Sequence, residues 1–285
     1  MPLVQVKDLV VEYPGPVKAL DGVSLALEKG EIVCLLGANG AGKTTLIKTL
    51  SGLVMPKRGE IRWHTSRGAC PRAGVLLEGS RAFYWNMTGW ENAMYFSALK
   101  GLPQQGLEAH LNDLFQLVGL SEARHRLAGD YSSGMKKRLS LLIALVGSPE
   151  LLMLDEPTAG LDRGSVLEFE NYLRRVAAEE GAAILCATHK LSFAFTVASR
   201  IMYLENGRLR SWDWENVLGR HRRAMFLLGG ALPEDRAAIY QGHLRGLGEN
   251  RWQLEGATDD PQLFRVLDAL ISEHDLHLLQ MYGVD

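Results

Sequence analysis

Residues 37–45, GANGAGKTT, concentrate more chemistry than any other stretch of the chain. They fit the spacing G-x-x-x-x-G-K-[ST] through Gly37, Gly42, Lys43 and Thr44. Gly37, Gly40 and Gly42 allow the turns that aim backbone N–H groups, those of Ala38, Asn39, Ala41 and Thr45 among them, at phosphate oxygens. A helix starting at Lys43 adds its positive dipole end. Lys43 reaches the β- and γ-phosphates, and the Thr44 hydroxyl suits Mg²⁺. A glycine-rich turn of purely structural purpose would have no use for Lys43 or Thr44.

A second group follows at LLMLDEP, residues 151–157. An apolar strand ending in two acids buries its backbone and presents Asp155 and Glu156 at its tip. Asp155 fits a role in holding Mg²⁺, directly or through water. Glu156 fits a role in positioning and polarising an attacking water. Surface acids at a strand end are the plain alternative, and the phosphate loop weighs against it. His189, in CATHK, would in isolation read as a loop histidine with structural partners, but its place after an apolar strand downstream of the Asp-Glu pair points it to the γ-phosphate.

The elements that must carry these residues are legible as apolar runs. Leu3–Val6, Leu9–Val11, Val23–Leu27, Ile32–Leu36, Val75–Leu77, Leu151–Leu154, Ala183–Ala187 and Ile201–Leu204 read as strands. Helices are expected over Lys43–Ser51, Trp90–Leu99, Glu108–Leu117, Met135–Val146 and Ser165–Glu179. This alternation predicts an α/β fold with crossover helices. The stretch of about 83–146 reads as a helical insertion. Thr88 followed by Glu91 predicts a capping box that starts a helix near Gly89. Near Arg220 the character shifts, and 220–285 reads as a small β/α appendage: AMFLLGG and WQLEG, a polar helix-like region, a helix-like PQLFRVLDALI and a strand-like LHLLQMYG.

Composition narrows the class. The 285 residues suffice for one large domain, or one with a small addition, and a net charge of −2 gives no electrostatic reason to bind nucleic acid. Cys34, Cys70 and Cys186 form no CxxC pair, and Cys34 and Cys186 lie in apolar runs, as buried thiols of an intracellular protein do. The N-terminal residues lack a signal-peptide pattern. No apolar run is long enough to cross a bilayer, so a membrane role would come through a partner.

YSSGMKKRLSLLIAL at 131–145, just before LLMLDEP, resembles the signature segment of ATP-binding-cassette (ABC) proteins, and TAGLD at 158–162 looks like their D-loop with Asp162. The order phosphate loop, signature, Asp-Glu, D-loop and histidine matches that family over about residues 1–218. The resemblance implies a P-loop cassette with a mixed sheet, an N-terminal antiparallel part and a helical subdomain within residues 1–219. It implies two cassettes, identical or related, facing head to tail, with ATP and Mg²⁺ between them. Ser132, Ser133 and Gly134 would then bind ATP held by a second subunit, and Tyr13 would stack on adenine. Independently, a serine and N–H groups at a helix start form an anion site, compatible with an N-cap.

Ser133 stands where the family has its first glycine, and Met135 where it has glutamine. Glu78 in GVLLEGSR stands where a glutamine usually contacts Mg²⁺. It offers the metal an oxygen but adds charge; a solvated loop acid is the alternative. The family places a transmembrane permease's cytoplasmic helix near the aromatic stretch after Glu78, which points to Phe83, Tyr84 and Trp85 as contacts. In size and position 220–285 is similar to the extension of ATPases that export drugs, lipids or polysaccharides. A peripheral place on the cytoplasmic face of the membrane follows. An importer ATPase and a soluble cassette ATPase, as in cluster assembly, remain the competing readings.

Overall fold

The computed structural model describes residues 2–15, 18–65, 68, 70–77, 79, 82–211, 223–233, 237, 240, 244–248, 250–257, 263, 266–267, 269–270 and 277–284. The first strands, β1 (Pro2–Glu12) and β2 (Lys18–Glu28), pair antiparallel. β1 is continuous where two strands were expected. The break in its alternation falls at Asp8, a residue with φ of 50° at a register shift, whose N–H donates to Ser24 Oγ at 2.8 Å. A polar strand that the apolar pattern does not announce, β4 (Arg58–Trp63), completes this three-stranded sheet as β2-β1-β4.

The second sheet has six strands. They are β3 (Ile32–Leu36), β5 (Ala73–Leu76), β6 (Leu151–Asp155), β7 (Ala183–Ala187), β8 (Arg200–Glu205) and β9 (Arg208–Ser211), in the order β5-β6-β7-β3-β8-β9. All neighbours run parallel except β8 and β9. Every residue of β3, β6 and β7 is buried, as expected of central strands covered on both faces. Alternation sorts the side chains. Val33, Leu35, Met153 and Leu185 join α1 (Lys43–Leu50) and the antiparallel sheet in one core. Ile32, Cys34, Leu154 and Cys186 face the other, with α5 (Arg163–Glu180) and the short α6 (Leu191–Val197). Cys34 and Cys186 are buried on neighbouring strands, and Cys70 is exposed.

Between β5 and β6 come α2 (Gly89–Leu99), α3 (Leu107–Leu117) and α4 (Ser133–Leu145). The capping box is present: Thr88 Oγ1 accepts from the Glu91 N–H at 3.1 Å, and Glu91 accepts from the Thr88 N–H at 2.8 Å. Beyond residue 222, β10 (Arg223–Gly229), β11 (Leu244–Gly248), β12 (Arg251–Ala257) and β13 (His277–Val284) form an antiparallel sheet ordered β11-β12-β10-β13. β11 lies where a polar helix was expected; its backbone pairing with β12 makes it a strand despite two glycines. Within PQLFRVLDALI, Leu263, Val266, Leu267, Ala269 and Leu270 are helical, and Leu263 packs over Gly256.

One contact fixes the helical segment to the sheet. A Cβ on Gly74 in β5 would lie 2.0 Å from Ala144 O, so α4 crosses that strand at a distance only glycine allows. Gly74→Ala forces α4 outward. We expect a loss of about 1–3 kcal/mol of stability, read as a lowered urea midpoint at unchanged slope.

Candidate functional site

The ends of β3, β6 and β7 meet because the sheet order places them side by side. β3 runs into the phosphate loop. Gly37 has φ of 155°, and a Cβ there would lie 2.3 Å from Leu204 O. Gly42 has φ of 109°, with Ala19 O 2.3 Å from the same hypothetical atom. Both positions therefore require glycine. Gly42 is also the N-cap of α1 and supplies no side-chain cap, so the first N–H groups of that helix face the loop. Ala41 N donates to Ala38 O at 3.1 Å, and Asn39 and Gly40 are exposed at the turn. The Lys43 ammonium lies within the loop, donating to Gly37 O at 2.7 Å and to Ala38 O at 3.1 Å.

Thr44 Oγ1 donates to Asp155 Oδ2 at 2.7 Å. Asp155 is only 3% exposed. Two hard oxygen donors in contact beside a phosphate-type loop fit Mg²⁺, which commonly takes few protein ligands and completes its shell with water and phosphate oxygens. Glu78 lies outside the described residues.

Glu156 follows Asp155 with φ of 50°, a left-handed conformation uncommon outside glycine. Its Oε1 accepts from the His189 N–H at 3.0 Å and lies 2.8 Å from His189 Nδ1, while Oε2 accepts from Thr188 Oγ1 at 3.1 Å. These bonds occupy three of about four acceptor positions on a carboxylate. The hydrogen bond and charge of Glu156 raise the pKa of His189 above its ordinary value, against partial desolvation and the charges of Lys190 and Lys43.

Tyr13 is exposed, with its hydroxyl 3.5 Å from Thr45 Oγ1, which places its ring beside the loop. α4 begins two residues earlier than expected, at Ser133. Ser132 is its N-cap and accepts from the Met135 N–H at 3.2 Å, leaving Ser133 and Gly134 in the first turn. Asp162 caps α5, accepting from the Ser165 N–H at 3.0 Å. The D-loop touches the signature: a Cβ on Gly160 would lie 3.2 Å from the Gly134 Cα.

A cavity of about 320 Å³ joins Asp155 and Glu156 to Leu76, Phe83, Trp85 and Lys136. Of the aromatic trio, Phe83 is buried, whereas Tyr84 and Trp85 are 45% and 43% exposed. Phe83 is therefore withdrawn from the expected partner surface, because its ring fills the core below it. The sequence motifs do not single out Thr188, whose Oγ1 donates to Glu156 Oε2. Its place one residue before His189 at the end of β7 was the available signal.

A family model described as ABC transporter matches residues 20–159. The chain is 33% identical over 199 residues to the ABC transporter ATP-binding protein NatA of Bacillus subtilis, covering 68% of this chain and 80% of NatA. It is 31% identical over 274 residues to a fluoroquinolones export ATP-binding protein of Mycobacterium tuberculosis, covering 93% of this chain and 85% of that one. Among solved structures, an ATP-binding subunit of an ABC transporter superposes with a TM-score of 0.67 at 29% identity, covering 74% of this chain and 90% of the other.

Because the folded-state pKa of His189 is raised, its pairing with Glu156 stabilises most fully below the ordinary value of 6.5 and is lost as pH rises through the folded-state value. By NMR titration, Glu156→Gln should bring the His189 pKa down. An unchanged value would show that Glu156 does not set it.

Proposed function

The chain belongs to the ABC transporter family of ATP-binding proteins and is an ATPase, and we propose that it powers an exporter through a separate transmembrane permease. The contact of Thr44 with Asp155, within reach of Lys43 and next to Glu156, carries the catalytic part of this reading. The export part is supported by the fluoroquinolones-export relative, whose similarity covers 93% of the chain. That share reaches past the 1–219 we assign to the cassette, with its helical subdomain at about 83–146, into the accessory domain we assign to 220–285.

In this reading the loop from Gly37 to Thr45 cradles the phosphates of ATP, and Tyr13 stacks on adenine. Thr44 and Asp155 hold Mg²⁺, with Glu78 assigned as a further oxygen. The bound cation supplies neutralisation of phosphate charge. Lys43 lies against the β- and γ-phosphates. Glu156 takes the proton of the attacking water through its remaining acceptor position, and His189 and Thr188 keep its carboxylate aimed. His189 then lies at the γ-phosphate.

Ser132, Ser133 and Gly134 contact the ATP of a second cassette, which is another copy or a relative. The Ser132 cap bond and the exposure of Ser132 and Ser133 support this assignment. Binding closes the pair and hydrolysis reopens it. Among the described residues no helix is long and apolar enough to cross a membrane. We place the chain peripherally on the cytoplasmic face, with Tyr84 and Trp85 toward the permease.

Glu156→Gln should keep ATP binding and lower turnover by about 10²–10⁴-fold. Wild-type turnover would remove Glu156 as the base. The same tagged variant, purified from solubilised membranes with ATP, should bring down a polytopic membrane protein in stoichiometric amount. A soluble partner instead would refute the transport role.

A further inference from the structure

α4 passes into β6 through residues 146–150, so this turn connects the helix capped by Ser132 to the strand that ends at Asp155. Its backbone is strained. Gly147 has φ of 84°, and Ser148 follows with φ of 45°, a left-handed conformation uncommon for a residue with a side chain. Such a turn persists where surrounding contacts hold it. Two neighbouring helices supply them. Lys100, the C-cap of α2, donates from Nζ to Val146 O at 2.8 Å and to Ile143 O at 3.2 Å. His110, on α3, accepts at Nε2 from the Gly147 N–H at 3.3 Å.

The two holds respond differently to protons. Burial lowers the pKa of Lys100 only to about 8, so its ammonium keeps both bonds in acid. An imidazole nitrogen accepts only while it carries no proton, so the Gly147 bond requires neutral His110 with its proton on Nδ1. The surroundings offer the protonated ring other partners. His110 lines a cavity of about 470 Å³ with Asp113 of its own helix and with Glu168, Tyr172, Arg175 and Glu180 of α5. Burial, the largest influence, opposes the imidazolium, as does the charge of Lys100; Asp113 and Glu180 favour it, and the net pKa lies below the ordinary 6.5. Tyr172 is neutral, its own pKa pushed up to about 12 by burial, and the Arg175 guanidinium lies 5.6 Å from the centroid of its ring. Glu150, the acid of the turn itself, is engaged by Arg72 at 3.3 Å.

We propose that His110 is a proton-sensitive latch: neutral, it holds the strained turn between α4 and β6; protonated, it releases Gly147 in favour of the carboxylates of Asp113 and Glu180. Because the folded-state pKa is lowered, the stabilisation is complete above the ordinary value and is lost as pH falls through the folded-state value. The sign is opposite to that of the His189–Glu156 pair, which weakens as pH rises. The inference adds acid sensitivity at a point away from the phosphate loop and does not depend on what the ATPase drives.

The test uses the full chain. By NMR, neutral His110 should carry its proton on Nδ1, and the Gly147 amide signal should titrate with the same midpoint as His110, below 6.5. His110→Gln offers a carbonyl oxygen at every pH, so there the Gly147 signal should stay level. The ratio of wild-type to His110→Gln ATPase rates should be close to one at about pH 8 and fall by about twofold or more at about pH 5.5. His189 is present in both proteins, so its titration cancels in the ratio.

Three results would overturn the inference: a Gly147 signal that ignores the His110 titration, a neutral His110 with its proton on Nε2, or an activity ratio that does not change with pH. If His110→Gln does not fold, the wild-type titration and tautomer decide alone.

Discussion

The hydrogen bond from Thr44 to Asp155 joins residues 111 positions apart, and the functional geometry depends on it. A carboxylate as withdrawn from water as Asp155 is costly unless its oxygens are engaged. The bond therefore fixes the end of β6 against the first turn of α1. It also requires β3 and β6 to lie one strand apart in the parallel sheet, with β7 between them. Given that order, β7 delivers Thr188 and His189 to Glu156 with no further adjustment, since Asp155 pairs with Ala187 one residue earlier. Three strand ends thus share one buried electrostatic problem and one solution.

Glu156 shows where the fold accepts strain. A glutamate with φ of 50° is uncommon, and such conformations persist only where surrounding contacts hold them. Here the Glu156 N–H donates to Ala187 O at 2.9 Å while its carboxylate takes three hydrogen bonds from Thr188 and His189. The backbone turn separates the two acids: Asp155 faces Thr44, and Glu156 faces His189. A regular strand continuation would send them to opposite faces of the sheet. The strain thus holds two adjacent carboxylates on different partners at one site.

The parts legible in the sequence were those whose signal is local. β3 and β7 were placed to the residue because a wholly buried strand is apolar at every position. The box of Thr88 and Glu91 was readable because both partners lie within one turn. β4 was not readable: RGEIRW is mostly exposed and polar, and it is a strand because β1 offers it an edge. α6 is too short to show a helical period. Phe83 and Trp85 carry the same kind of signal two residues apart, yet one enters the core and the other faces outward. Only the packing of α2 and α4 against them decides which. Lys136 over Trp85 was equally hidden, because no sequence period relates a loop to a helix 51 residues on.

The charge on α4 is hard to explain by stability alone. A helix N-terminus favours acids and disfavours cations. The first turn of α4 has no acid, and Lys136, Lys137 and Arg138 follow directly. Local bonds offset part of that cost: Lys136 on Gly129 O, and Arg138 on Gly119 O at 3.0 Å. Lys137 remains exposed. Together with the helix dipole, these charges add positive charge near the Ser132 end of α4, offset in part by Asp130 two residues before the cap. Such a pattern costs the helix some stability, and it agrees with the anion-binding role proposed for this end.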